Sequence, residues 1–301
     1  MTASYKSMNH KLAVSLIVCI VALSGVIYIV LLPNTSLNKL VVAQTPKPVR
    51  EIKIQPDGSI LDSNPITPLK RSGDVYTFSG DINGYIDIQK SGITLDGAGY
   101  TLGETGQSGF GIWAATDGHS KPIVNNITIK NIQIIGYSCA IMLEGSDNTV
   151  TNINITGCTA SGTEVITVGG SHNTLQGCHI VGNSGTGILV KGDNMLILDN
   201  VITNNTYYGI SFYNNPIKLR SNILNNNDLG PFHMYEYNVD ASGQPAKIKS
   251  DYIDSTNLVE GKPVYYWVNE RDKTVPSNAG YVVLDSCKNI VVENVQKVGT
   301  L

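Results

Sequence analysis

The sequence predicts an all-β protein, a right-handed parallel β-helix (solenoid) preceded by one N-terminal transmembrane helix, and three observations carry that expectation. First, five segments repeat between Asn125 and Asn227: NNITIKNIQIIGY (125–137), DNTVTNINITGCT (147–159), HNTLQGCHIVGNS (172–184), DNMLILDNVITNN (193–205) and NPIKLRSNILNNN (215–227). They bring Ile134, Ile155, Ile180, Ile202 and Leu224 into register at spacings of 21 to 25 residues, a period that signals a solenoid. Second, FGIWAA (110–115), AIMLEG (140–145), VITVGG (165–170), GILVKG (187–192) and GISFYN (209–214) run in step with them. Each is a short apolar strand between turn residues, so each period holds at least two strands. Third, beyond the N-terminus no segment shows the sustained 3.6-residue pattern of a helix.

At the N-terminus, Lys6 and Lys11 precede an uncharged, mostly apolar run from Leu12 to Leu32 that Pro33 closes. Its length suits a helix crossing a bilayer. Lysines ahead of it predict a cytoplasmic stub and transmembrane anchor over 1–33 and an exported remainder. The rival reading is a cleaved signal peptide, with Val41 and Ala43 placed to direct cleavage before Gln44. The expected location is the cell membrane, with the β-helix extracellular or periplasmic, or else secretion after cleavage. Residues 34–50, with Pro46 and Pro48, read as a linker. Sequons at Asn34, Asn126, Asn154 and Asn204 are compatible with export.

The β-helix domain is expected over 51–301. ITLDGAGYTL (93–102) reads as an opening coil, two β runs around a turn in which Asp96 serves the turn. Thirty glycines and abundant Asn supply the corners, and Ile, Val and Leu fill a narrow interior in stacked rows. Asn126, Asn148, Asn173 and Asn194, with Asn215 one residue out of step and Asn289 as a later member, predict a corner ladder of amides bonded from coil to coil. Residues 238–278 break the period, with SGQP (242–245) and VPSN (275–278) as turn signals, and read as a non-repeat excursion that Tyr265, Tyr266 and Trp267 anchor. After KNIVVENVQKVGTL (288–301) no further coil follows, so additional C-terminal coils or a subunit are expected to cover that end.

Charge and cysteines bound the function. A formal net charge of −3, with no basic stripe and no aromatic RNA-binding motif, argues against nucleic acid as a partner. The five cysteines form no CxxC pair and no zinc spacing. Cys178 reads as a small core residue. Cys139 and Cys158 stand nearly one coil apart, a spacing that admits a disulfide.

Strand alternation supplies a candidate surface. With Ile112, Ile141, Ile166, Ile188, Ile210 and Phe232 inward, one outward row is Trp113, Met142, Thr167, Leu189, Ser211 and His233. The next is Ala115, Glu144, Gly169, Lys191, Tyr213 and Tyr235. Aromatic rings offer apolar faces to sugar rings, and charged groups bind their polar edges, so Trp113, Glu144, Lys191, Tyr213, His233 and Tyr235 are the candidate ligand-binding residues. Asp147, His172 and Asp193, at matching corners, would set an imidazole between two carboxylates and are the candidate catalytic residues.

ITLDGAGYTL, the NNITIKNIQI-type coils, and above all GKPVYYWVN (261–269) followed by AGYVVLDSCKNIVVENV (279–295), resemble the NosD-type right-handed β-helix proteins over roughly residues 85–297. That family carries a periplasmic copper-binding label, with related modules in carbohydrate-binding and sugar-hydrolysing proteins. The resemblance implies the fold, and copper as a cofactor. Copper needs converging His, Met or Cys, whereas His233 and Met234 are adjacent on a strand and point to opposite faces. Neither the paired aspartates nor the Gly-His-Gly signature of polygalacturonase-like β-helices is present. The expected function is non-catalytic binding of an extracellular polysaccharide or surface glycan. Two rivals stay open: a polysaccharide lyase or glycoside hydrolase, with calcium as a cofactor, and a copper-handling accessory protein.

Overall fold

The computed structural model describes residues 49–103, 109–159, 164–213, 217–235, 253–293 and 295, together with the backbone of 20–22, 25–27 and 298–300. The chain divides into residues 1–49 and 50–301. In the first unit, Ile20–Ala22 and Gly25–Ile27 pair antiparallel, with Ile20 opposite Ile27. The expected membrane helix over Leu12–Leu32 therefore finds no support there, since the β-branched residues described inside that run are in extended pairs; the rest of the run lies outside the described residues. Among the described residues no helix is long and apolar enough to cross a membrane.

The second unit is an all-β solenoid of about seven turns. A nine-stranded sheet contains the second sequence series: Glu51–Ile54, Tyr85–Ile88, Phe110–Ala114, Cys139–Leu143, Glu164–Val168, Thr186–Val190, Tyr208–Tyr213 and Gly230–Tyr235 stack in parallel, and Ile60–Asp62 closes one end. A twelve-stranded sheet contains the first series, led by Thr128–Ile135, Thr149–Thr156, Thr174–Gln176, Met195–Leu198 and Ile217–Arg220. Register follows the sequence repeat: Ile134 stands opposite Ile155, Ile155 opposite Ile180, and Ile180 opposite Ile202. All four, with Leu224, are buried. Each such side chain removed from water contributes roughly 1.5–3 kcal/mol. Two antiparallel hairpins begin the unit, Glu51–Ile54 with Ile60–Asp62 and Leu69–Ser72 with Val75–Phe78. Arg50 clamps the first by donating to both oxygens of Asp62, at 3.0 and 2.7 Å.

Corners form where the backbone turns left-handed, a conformation that Gly, Asn and Asp tolerate best. Three such positions recur in every coil. One holds Asn126, Asp147, His172 and Asn194; a second Asn131, Asn152, Gly177, Asp199 and Ser221; a third Gly136, Gly157, Gly182, Asn204, Asn226 and Glu260. Asp96, in the opening coil, accepts from the Ala98 amide at 2.9 Å and from Asn131 Nδ2 at 3.0 Å, so it serves the turn. Burial pushes its pKa up, but these bonds and Lys130 outweigh that and leave it lowered.

The amide ladders lie one residue beyond the corners. Asn126 and Asn194 share the exposed left-handed position with Asp147 and His172, whereas Asn148 and Asn173 occupy the next, buried position alongside Ile127 and Met195. The single ladder expected from sequence is thus two positions merged. Longer ladders follow the other corners. Asn183, Asn205 and Asn227 form one, and Asn200, Asn222 and Asn257 another, each Oδ1 accepting the backbone N–H of the preceding coil's counterpart. Each Nδ2 also donates to a carbonyl, as Asn205 does to Ile180 at 3.1 Å. Fully bonded, a buried amide carries little cost; unbonded it costs about 1–3 kcal/mol. Cys158 and Cys178 cap these ladders, their N–H groups donating to Asn183 and Asn200. Both thiols are free, as is Cys139, so the spacing-based disulfide is not formed.

The non-repeat excursion expected over 238–278 ends early: its described part rejoins the solenoid at Ile253. Ile253 bridges Leu219, Leu258 bridges Ile223, and the Asn257 amide completes the ladder on Asn222. Lys262–Val268, Tyr281–Asp285 and Val298–Thr300 then form a parallel run. Tyr266 is buried in the main core, while Tyr265 and Trp267 pack against a second apolar cluster around Val275, Ala279 and Val282.

Candidate functional site

The outer side of the nine-stranded sheet is organised in files that cross successive strands, about 4.8 Å apart. In the first file, Asp87, Trp113, Met142, Thr167, Leu189, Ser211 and His233 stand in register. The second contains Ala115, Glu144, Gly169, Lys191, Tyr213 and Tyr235, the order that alternation gives.

A third file was not visible to alternation: Phe110, Cys139, Glu164, Thr186 and Tyr208. Its residues precede Gly111, Ala140, Val165, Gly187 and Gly209, which face the core; a Cβ on Gly187 would lie 2.6 Å from Ile202 Cγ2, and one on Gly209 2.8 Å from Leu224 Cδ2. Because Ile188 and Ile210 also face the core, two consecutive residues point inward and the residue before them turns out. The small residues at that position were the available signal.

At the N-terminal end of this face, Trp113 is occupied by its own neighbours. Phe110 meets it edge to face at 4.1 Å, its Nε1–H donates to the Ala115 carbonyl at 2.5 Å, and Lys121 Nζ stands 4.9 Å from its ring. Lys121 also pairs with buried Asp87 at 3.0 Å, and Gln89 donates to the same Asp87 oxygen at 2.9 Å. Glu144 Oε2 accepts from the Thr116 amide at 3.2 Å, bracing the same loop. In the middle, Thr167 and Leu189 are buried, so the two rows do not form one continuous open track. Lys191 is exposed beside Gly169.

The C-terminal end gathers aromatic rings. Tyr213 and Tyr235 stack at 4.9 Å with planes 21° apart; Tyr208 and His233 stack at 4.5 Å and 12°; His233 meets Tyr235 edge to face at 4.4 Å. Burial raises the Tyr235 phenol pKa, and the charge of Glu164 raises it further. Burial lowers the His233 pKa, so the ring is neutral at pH 7. Within this cluster His233 Nδ1, and beside it Ser211 Oγ, are shielded from solvent and have no hydrogen-bond partner; the same holds for one oxygen of Asp87 farther along the same file. An unpaired buried hydroxyl costs roughly 1–3 kcal/mol.

The corner candidates fall elsewhere. His172 and Asp147 come together, Nδ1 to Oδ1 at 3.8 Å, with side chains 63 % and 67 % exposed. Asp193 does not complete the arrangement. It bridges Ser171, and the residue stacked on His172 is Asn194, because the corner is one residue longer than the aligned segments suggest. The imidazole therefore has one carboxylate neighbour in its file, not two. Among the described residues no group of three or more His, Cys, Asp or Glu side chains converges to hold a metal ion. The copper implied by resemblance does not fit these donors: His172 is at an exposed corner, and His233 is held between tyrosine rings.

A family model described as a right handed beta helix region matches residues 85–244, more than half of the chain. A comparison with curated proteins finds no match.

Proposed function

The chain belongs to the right-handed β-helix family, and from that premise we propose that it binds an extracellular polysaccharide or surface glycan without transforming it. The fold itself hosts many activities, so the reading has to rest on the site. One observation carries it: Tyr208, Tyr213, His233 and Tyr235 assemble a ring cluster on a rigid sheet face, two strands along from Glu164 in the file of Tyr208. Half-buried rings present flat apolar faces to a pyranose, and the stacked coils hold them in place before any ligand arrives. Trp113 is a brace in this reading, since its neighbours already engage it.

Export belongs to the proposal as well. The apolar run from Leu12 to Leu32 behind two lysines supports delivery across a membrane, with the run retained as an anchor and a NosD-like solenoid displayed outside. Protease shaving of intact cells, with mass spectrometry of the surviving N-terminus, tests it; a protected solenoid counts against export, and a chain beginning at Gln44 counts against the anchor.

For binding, the full-length chain is titrated with neutral and acidic oligosaccharides, alongside Tyr213→Ala and Tyr235→Ala. Loss of each ring should weaken binding at least tenfold, and unchanged affinity in both variants removes this face as the site.

A further inference from the structure

Resting on the glycan reading, the unpaired polar floor formed by Ser211 and His233 at the ring cluster narrows the class of ligand. Ser211 and His233 are direct neighbours across adjacent strands, both in the first outward file. Each has a polar side-chain atom that is shut off from water and bonded to nothing, Oγ in one and Nδ1 in the other. Ser211 is buried almost completely. Most of the interior satisfies its polar groups: the six asparagines of the two long ladders all have bonded amides, and the other unbonded buried atoms, on Asp87, Asn148 and Tyr266, stand apart from one another along the chain. Ser211 and His233 are the two that stand side by side, within and next to an aromatic cluster, as a binding floor does before its ligand supplies the missing partners.

We infer that this floor reads the hydroxyls of a neutral pyranose, and that Glu164 turns away uronate or sulfated glycans. A sugar hydroxyl both donates and accepts, so it satisfies a serine Oγ and a neutral imidazole nitrogen alike. An anionic sugar has such hydroxyls too, but adds a negative charge that His233 and Glu164 do not answer. His233 is held neutral by burial and offers no cation, while the negative field of Glu164 is felt at the Tyr235 hydroxyl within the same cluster. The half-buried rings of Tyr208 and Tyr235 stand against His233 in the same cluster.

The test is calorimetric titration of the full-length chain with hexasaccharides of glucose, mannose and galactose, and with the hexamer of galacturonic acid. At least one neutral hexamer should bind tenfold or more tighter than the galacturonate. Ser211→Ala should weaken that binding about fivefold while raising the melting temperature, because the same hydroxyl is a liability in the free protein. Glu164→Gln should narrow the gap between neutral and acidic ligands. Equal or tighter binding of galacturonate overturns the inference, as does a Ser211→Ala protein that keeps full affinity. No binding by any hexamer, or binding indifferent to Tyr213→Ala and Tyr235→Ala, overturns the glycan reading beneath it instead.

Discussion

Asn205 and Asn227 are locked together twice: the backbone N–H and the side-chain Nδ2 of Asn205 both donate to Asn227 Oδ1, at 3.2 and 3.0 Å. The same Asn205 accepts both donors of Asn183 on its other side. One side chain thus fastens three coils.

Replacing it tests how much of the fold depends on such fastening. Asn205→Leu is close in volume but removes the oxygen that accepts both Asn183 donors and the amide that donates to the Ile180 carbonyl, while Asn227 Oδ1 keeps the backbone N–H of residue 205 and Asn183 Nδ2 keeps Ile155. Each orphaned buried group costs about 1–3 kcal/mol, and partial relaxation leaves an expected loss near 3 kcal/mol in urea denaturation. A loss below about 1 kcal/mol would show that the ladder decorates the core without stabilising it.

Gly170 makes a second prediction. Its φ is +78°, and a Cβ there would lie 1.8 Å from the carbonyl oxygen of Gly145 in the coil before. Backbone meets backbone at this corner, so no side-chain movement relieves the clash. Gly170→Ala should lower the melting temperature by several degrees, whereas Gly73→Ala, whose Cβ meets nothing within 4 Å, should cost only the mild strain of its positive φ. Similar effects from both would contradict the close approach.

The buried thiols should be inert. Burial pushes the Cys139 pKa up to about 12 and Cys178 up to about 11, and raises Cys158 as well. At pH 8 a thiol with a pKa near 12 is ionised in only about one molecule in ten thousand, and the thiolate is the reactive form. Iodoacetamide at pH 8 should leave all three unlabelled in the folded protein and label them in urea, as peptide mass spectrometry reads. Rapid native labelling of Cys139 would refute this.

Acid should weaken the fold through His233. Its folded pKa lies below the usual 6.5, so the unfolded chain takes up a proton first as pH falls. Stability is therefore complete above pH 6.5 and declines as pH drops through it. Asp62 and Asp96 have depressed pKa values, so their contributions persist until pH falls below about 3.8, outside that window. Urea midpoints at pH 7.5 and 5.5 should differ in the native protein and differ less in His233→Gln. An undiminished difference in the variant would assign the effect elsewhere.

Much of this was legible because the solenoid repeats its errors as faithfully as its rules. The inward isoleucines Ile134, Ile155, Ile180 and Ile202 are periodic, β-branched and uninterrupted, so register could be taken directly from them. Glu164 and Tyr208 escaped notice because strict alternation fails where Gly187 and Gly209 let the chain turn inward twice in succession. The corner triad failed for a related reason. Asn suits both a left-handed turn and a buried ladder, so Asn126 and Asn148 look alike in sequence while standing one position apart, and Asp193 was aligned with the wrong neighbour. The bracing of Trp113 by Lys121 depends on a loop path that no periodicity encodes.

The ladders also have a direction. Each Oδ1 serves the backbone N–H of the coil before it, 22 residues back in the case of Asn205 and Asn183. A ribosome makes the chain from the other end, so every newly made coil holds an unanswered donor until its successor appears. Folding must then trail synthesis by one coil, and the growing tip stays unlocked until the next coil arrives.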